Sequence, residues 1–357
     1  MTFPRARIDG DALRHNLGVV RRTAPDSQVL AVVKANAYGH GLAATARALA
    51  SADAFGVARL AEGLALRTAG VTNRIVLLEG VFSAEEQQRA AQAQLDLVVH
   101  TFDQLDLLEA ADARARFEVW LKIDTGMNRL GFRVDDFAHA WRRVQRCKSV
   151  TQLRLITHLA SAEDRDGDTP QQLAVFGELS ASLPVERSVA NSAGLVTWPQ
   201  ARLNWVRPGL MLYGISPVPD RSAEQLDLRP AMTLTTQLIA IRQVAAGEGV
   251  GYNSIWRAPV DSIIGIAAVG YGDGYPRNFR SGAPVLVNGV ETVVVGRVSM
   301  DMTAVDLTRL PRASIGDEVI LWGRGLSANR VAPFAGTIAY ELICGISQRV
   351  AVEWDGG

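Results

Sequence analysis

Apolar runs bounded by turn residues recur along the first two-thirds of the chain. They are VLAVVKA (29–35), AFGVAR (54–59), RIVLLEG (74–80), LDLVVH (95–100), FEVWLKID (117–124), LRLITHLA (153–160), ERSVANS (186–192) and NWVRPGLMLYG (204–214). Stretches with helical spacing lie between most of them, among them GLAATARALAS, AEGLALRTAG, SAEEQQRAAQAQ, TFDQLDLLEAADA, DDFAHAWRRVQR and TPQQLAVFGELSASL. Eight buried strands alternating with helices predict an α/β fold, a (β/α)8 barrel of the TIM type. A doubly wound open sheet would share the continuous apolar strands, but the strand count and the missing G-x-G-x-x-G motif favour the barrel.

After about residue 225 helical periodicity nearly vanishes. AMTLTTQLIAIRQV, DSIIGIAAVG, APVLVNGVETVVVGRVSMDMTAVDL and DEVILWG read as strands of a mainly-β C-terminal domain. Within VLVNGVETVVV, Asn288 and Gly289 supply the positive φ angles of a type I′ hairpin turn. The proline-containing, charged stretch SPVPDRSAEQLDLRP reads as the connection, so the expected division is 1–225 for the barrel and 226–357 for the β domain.

Composition narrows the function. Lys plus Arg and Asp plus Glu are both 37 in 357 residues, a formal net charge of zero that offers no footprint for nucleic acid or an anionic membrane. No apolar run reaches the roughly 18 residues of a membrane span, and the charged opening MTFPRARIDGDALRHN lacks a secretory h-region. The expectation is a soluble, unexported, cytoplasmic protein. Cys147 and Cys344 are the only cysteines, and the five histidines show no metal-ligand spacing, so neither a disulfide framework nor a metal site is expected.

In a (β/α)8 barrel, working groups sit at the C-terminal ends of the strands. The predicted ends carry Lys34, Asp124 with Arg129, His158, Asn191 with Ser192, and Arg207, a polar and mostly cationic ring. Each alone reads as a solvated charge, a satisfied core histidine or a loop tie; their convergence on one mouth points to chemistry. A lysine at a dry mouth among cations can lose its proton and form a Schiff base. That suits either an aldolase-like enzyme or a pyridoxal-phosphate enzyme, and the latter also needs a phosphate grip, for which Tyr38, Ser192 and backbone N–H groups near Gly209 are candidates.

At this point the sequence resembles the alanine racemases, pyridoxal-phosphate enzymes with a barrel followed by a β domain. AVVKANAYGHG, LKIDTGMNRLGF, THLASAED, ANSAGLV, WVRPGLMLYG, GVGYNSIW, AAVGYGDGYPR, VGRVSMDM and AYELICGISQRV carry the resemblance, in order over nearly the whole chain. It implies that Lys34 is the Schiff-base lysine and that Tyr38, Ser192, the backbone at Gly209 and Leu210, and Tyr340 hold the cofactor phosphate. Arg207 would face the pyridine nitrogen with His158 behind it. The two bases would be Lys34 and Tyr252; a tyrosine of ordinary pKa near 10 needs cationic company, expected from His158 and Arg207. Arg129 would fork onto the substrate carboxylate, oriented by a carbamylated Lys122, while Met300, Asp301 and Tyr271 would border the substrate pocket and its mouth.

The resemblance also implies a homodimer in which the β domain of one subunit closes the other's site. Ser299 and Trp256 stand where the family often has cysteine and tyrosine, at positions that shape the pocket. Other readings are a broader amino-acid racemase that accepts serine, a pyridoxal-phosphate decarboxylase, and a non-catalytic pyridoxal-phosphate carrier. Arg207 opposes the decarboxylase, since a carboxylate would be needed there, and the β domain with Tyr252 opposes the carrier.

Overall fold

In the computed structural model, which describes residues 4–112 and 114–356, all eight expected barrel strands are present and shorter than the apolar runs that predict them. Ahead of them the chain opens with β1 (Arg5–Asp9). The barrel then comprises β2 (Gln28–Val32), β3 (Ala54–Val57), β4 (Arg74–Leu77), β5 (Asp96–Val99), β6 (Phe117–Lys122), β7 (Val150–Ile156), β8 (Glu186–Asn191) and β9 (Trp205–Arg207). Neighbours pair in parallel in sequence order, and β2 against β9, with Gln28 opposite Trp205, closes the ring. Each apolar run continues past its last ladder bond, so Lys34 and His158 lie just beyond their strands, and GLMLYG becomes the 3-10 turn Leu210–Tyr213.

The N-terminal end of the barrel is closed by charge. Arg154, 3% exposed, has its guanidinium between the rings of Trp120 and Trp205, at 5.1 and 5.5 Å from their centroids. It donates to Glu186 at 2.5 Å and Glu118 at 2.6 Å, and Arg74 continues the belt from Glu118 to Asp96. Trp120 and Trp205 add indole N–H bonds to Asp96 and Glu186, so the buried arginine is paired with carboxylates on two sides and one of them is itself held by an indole.

The second unit contains β10 (Met232–Val244), β11 (Gly249–Val250), β12 (Trp256–Arg257), β13 (Ser262–Ala267), β14 (Pro284–Val287), β15 (Val290–Val295), β16 (Thr303–Asp306), β17 (Glu318–Trp322) and β18 (Ala351–Asp355). Its larger sheet runs β13-β16-β15-β14-β17-β10-β1-β18, and β10 also pairs with β13. Register shifts along β10 let one long strand turn from one neighbour to the other. Asn288 and Gly289, at φ 48° and 79°, form the predicted tight turn between β14 and β15.

Two features escape the sequence pattern. Residues 5–9, expected within the barrel, instead pair with β10 and β18 in the second sheet. The connection is packed, with Val218, Ala223 and Leu228 buried. Asn16, fully buried on the helix Gly10–Thr23, donates to the carbonyls of Leu212 and Arg229 at 3.0 and 2.8 Å and accepts from Arg229 N–H at 2.8 Å. One side chain thus fastens the end of the barrel to the start of the β domain. Among the described residues no helix is long and apolar enough to cross a membrane.

Replacing Asn16 with leucine keeps the volume but strands three backbone groups, so Asn16→Leu should lower stability by about 2–4 kcal/mol, read as a fall in the thermal unfolding midpoint. Arg22→Ala, which removes an ion pair to Asp227 that is exposed on both sides, should leave the midpoint close to wild type.

Candidate active site

The chain leaves β2 in an unusual conformation. Ala35, Asn36, Ala37 and Tyr38 all have φ of 53–54°, a full left-handed turn. For L-residues this costs about 1–2 kcal/mol each, so outside bonds must hold it. Glu62 accepts from Ala35 N–H at 2.7 Å, Asn36 Oδ1 accepts from Leu42 N–H at 2.8 Å, and Gly39 N–H donates to Ala35 O at 3.1 Å. The turn returns Tyr38 across the barrel mouth, where its ring stacks on Tyr213 at 4.6 Å and lies 6.0 Å from that of Tyr340.

The Tyr38 hydroxyl reaches the backbone after β9. A Cβ at Gly209 would sit 2.6 Å from that oxygen, so only glycine leaves room. Ser192 Oγ accepts from Gly209 N–H at 2.9 Å and Met211 N–H at 3.3 Å, with Leu210 between them. Tyr38, Ser192, Gly209, Leu210 and Tyr340 therefore converge. Burial raises the Tyr38 hydroxyl far above the usual tyrosine range and that of Tyr340 to about 12, so both act as protonated donors.

Arg207, 5% exposed at the end of β9, is held without a carboxylate. Its guanidinium donates to Ser188 Oγ at 2.7 Å, Thr157 O at 2.6 Å, Val189 O at 3.1 Å and His158 Nδ1 at 3.3 Å. Because arginine can only donate, His158 carries its proton on Nε2. Burial lowers Arg207 to about 10, still protonated at neutral pH. Burial first, then Arg207, Lys122, Arg129 and Lys34, push His158 well below the usual range. This corrects one expectation: a neutral His158 adds no positive charge for ionising a tyrosine.

Lys122, at the end of β6, is brought to about 8 by burial and by the charges of Arg207, Arg129 and Lys34, with Asp124 opposing. Asp124 organises the loop that carries Arg129: Oδ1 accepts from Gly126 and Asn128 N–H, both at 3.0 Å. Phe132 closes the loop back onto Lys122 and Asp124 through two 2.9 Å backbone bonds. Lys34, Arg129 and Arg207 thus lie close enough to act electrostatically on Lys122, and all four on His158.

Of the expected residues of the β domain, Tyr340 lies at the barrel mouth against Tyr38, and Tyr252, Tyr271, Met300 and Asp301 form a second group. Tyr271 N–H donates to Ser299 O at 3.0 Å and Gly272 N–H to Met300 O at 2.9 Å, which sets Tyr271 beside Met300. Arg349 bridges Asp301 at 2.7 Å and Asp273 at 3.3 Å. Tyr252, on a separate turn between β11 and β12, is 64% exposed. Among the described residues no hydrogen bond, ion pair or ring contact joins this group to the barrel-mouth residues.

Sequence reading missed three supports. Glu62 also accepts from Ala58 N–H at 2.8 Å, so it ties the turn after Lys34 to the end of β3. Gln172, 1% exposed, donates to Thr125 Oγ1 and His158 O and accepts from Ala160 N–H, clamping the loops after β6 and β7 together. A signal for it existed: Thr169, Gln172, Phe176 and Ser180 share the buried stripe of one helix, where an amide needs partners. Tyr213 left no comparable trace.

With this geometry in place, comparison with known proteins is informative. Residues 8–217 match the family model for the alanine racemase N-terminal domain and residues 231–354 that for the alanine racemase C-terminal domain. The alanine racemase of Aeromonas hydrophila subsp. hydrophila is 50% identical over 351 residues, 98% of each chain. The crystal structure of the biosynthetic alanine racemase from Pseudomonas aeruginosa superposes with a TM-score of 0.97 at 46% identity, covering 100% of both chains. That of the Bartonella henselae alanine racemase, which has covalently bound pyridoxal phosphate, gives 0.89 at 28% identity over 99% of this chain and 100% of that one. The chain belongs to the alanine racemase family.

Proposed function

We propose that the chain interconverts L- and D-alanine with pyridoxal phosphate held at the barrel mouth and the working site completed by a second copy of the chain. The observation that carries this reading is the buried, carboxylate-free Arg207 facing Lys34, Lys122 and Arg129 beside the Tyr38–Ser192–Gly209 cradle. Gathered cations repel, and an anionic cofactor and substrate relieve that repulsion. The cradle offers hydroxyls and backbone N–H groups at a point where a side chain on residue 209 would intrude, which fits a phosphate. When bound, pyridoxal phosphate withdraws electrons from the substrate and makes its Cα–H acidic.

The protein's own groups then have defined tasks. Lys34 Nζ would hold the cofactor, and its amine would carry a proton to and from Cα on one face. Tyr252 of the second subunit serves the other face through its hydroxyl. Arg207 would face the cofactor's ring nitrogen as a permanent donor that accepts no proton, which would temper the electron pull and favour return of the proton to Cα. Arg129 holds the substrate carboxylate with its planar fork. Lys122, already at about 8 among cations, is suited to take up carbon dioxide as a carbamate, whose negative charge would orient Arg129. Tyr271, Met300 and Asp301 limit the size of the substrate side chain.

Two observations support a homodimer. Tyr252, Tyr271 and Met300 are apolar in large part yet exposed, as are Ile255 and Ile338. Among the described residues the two groups of site residues also share no bonded link within one chain, as expected where partners complete each other.

Shared sites make a sharp test. Lys34→Ala and Tyr252→Phe homodimers should each fall by at least about 10³-fold in rate. Mixed one to one and allowed to exchange, they should recover about one quarter of wild-type activity, because half the dimers then carry one intact site. Recovery near zero despite proven exchange would exclude sites built from two chains.

Substrate range is read by chiral chromatography over a panel of L-amino acids, where alanine should turn over fastest and serine measurably slower. For Lys122, labelled bicarbonate should be retained more at pH 9 than at pH 7, since the free amine prevails above about 8. Lys122→Arg should abolish the retention.

A further inference from the structure

His40 is fully buried, yet the proposed reaction gives it no task. Its Nδ1 lies 2.9 Å from Tyr38 O and 3.1 Å from Ala37 O, both acceptors, so the proton is on Nδ1 and the ring donates to the two last carbonyls of the left-handed turn. The backbone N–H of His40 adds a third bond to Ala37 O at 3.0 Å. Nε2 has no partner among the described residues, so the ring's hydrogen bonding is spent entirely on the turn. Burial lowers the imidazole to about 4, and it stays neutral in its single-donor form.

The ring has a second contact with the same target. It lies 4.6 Å from the ring of Tyr213, which stacks on Tyr38 at 4.6 Å and donates its hydroxyl to Val32 O at 3.0 Å. His40 therefore meets Tyr38 through its backbone carbonyl and, by way of Tyr213, through its ring. Left-handed residues without such bonds relax to ordinary φ, and a change at Ala37 or Tyr38 would swing the hydroxyl away from Gly209.

We propose that His40 is a positioning residue, whose Nδ1–H holds the left-handed turn so that the Tyr38 hydroxyl is fixed where the cofactor phosphate docks. This rests on the assignment of Tyr38 to the phosphate.

The test compares His40→Leu with His40→Asn in the full-length protein. The two replacements are close in shape and both lack the ring; only asparagine retains an N–H donor. Affinity of the apoprotein is measured for inorganic phosphate and for pyridoxal phosphate, with thermal unfolding of the apoprotein alongside. His40→Leu should weaken both ligands about tenfold, and His40→Asn should stay within about threefold of wild type. In a Tyr38→Phe background, His40→Leu should cost less than about twofold further, because its effect passes through the missing hydroxyl.

Wild-type affinity in His40→Leu, equal losses in folded His40→Asn and His40→Leu, or full additivity with Tyr38→Phe would each overturn the proposal. If His40→Leu does not fold, His40→Asn alone decides, and losses beyond threefold in that folded protein overturn the role. Wild-type binding by Tyr38→Phe would instead sink the assignment of Tyr38 to the phosphate. Weakened binding there with none in His40→Leu would sink the role of His40 alone.

Discussion

Positive charge held at the barrel mouth without matching negative charge is the constraint on which the site depends. At the opposite end of the barrel, Arg154 is buried too, but it has carboxylates at hydrogen-bond distance and lies against two indole rings, and the half-buried Arg74 beside it is likewise paired with carboxylates. That end is structural, each of its arginines matched by carboxylates. At the mouth, Arg207 is fastened only by hydroxyl, carbonyl and imidazole acceptors, and Lys122 is held near three other cations. Bonds to neutral acceptors fix Arg207 without cancelling its charge, so the field stays directed at whatever occupies the mouth. The contrast between two buried arginines in one barrel separates the part that holds the fold from the part that acts.

Backbone strain is placed beside that charge. Four successive left-handed residues would not persist in a free peptide, and they persist here because Glu62, Asn36 and His40 hold them from three sides. The consequence is geometric: one five-residue turn carries Lys34 at its start and Tyr38 at its end.

The strands were readable because a parallel barrel buries both faces, which makes the apolar runs continuous and bounded by turns. The hairpin at Asn288 and Gly289 was readable because the turn needs positive φ at two residues that supply it. Arg207 and Lys34 could be found because charge at the end of an apolar run is conspicuous, whereas Lys122 was singled out only by the resemblance to the family. The strand ends were overestimated, as at GLMLYG, because apolar composition records burial and not hydrogen bonding: Leu210–Tyr213 is buried as a 3-10 turn. Gln172 and Glu62 were passed over because their partners are mostly backbone groups, which have no side-chain signature.

The sequence by itself determined the barrel, the β domain and the chemical identity of the groups at the mouth, since periodicity and residue type are local properties. Only the tertiary structure decided that residues 5–9 belong to the second sheet, that Asn16 locks the two units and that His158 is neutral. Each of these depends on which atoms lie within a few ångströms across long stretches of chain. Strand pairing, desolvation and charge repulsion act through space, and a linear sequence does not record those distances.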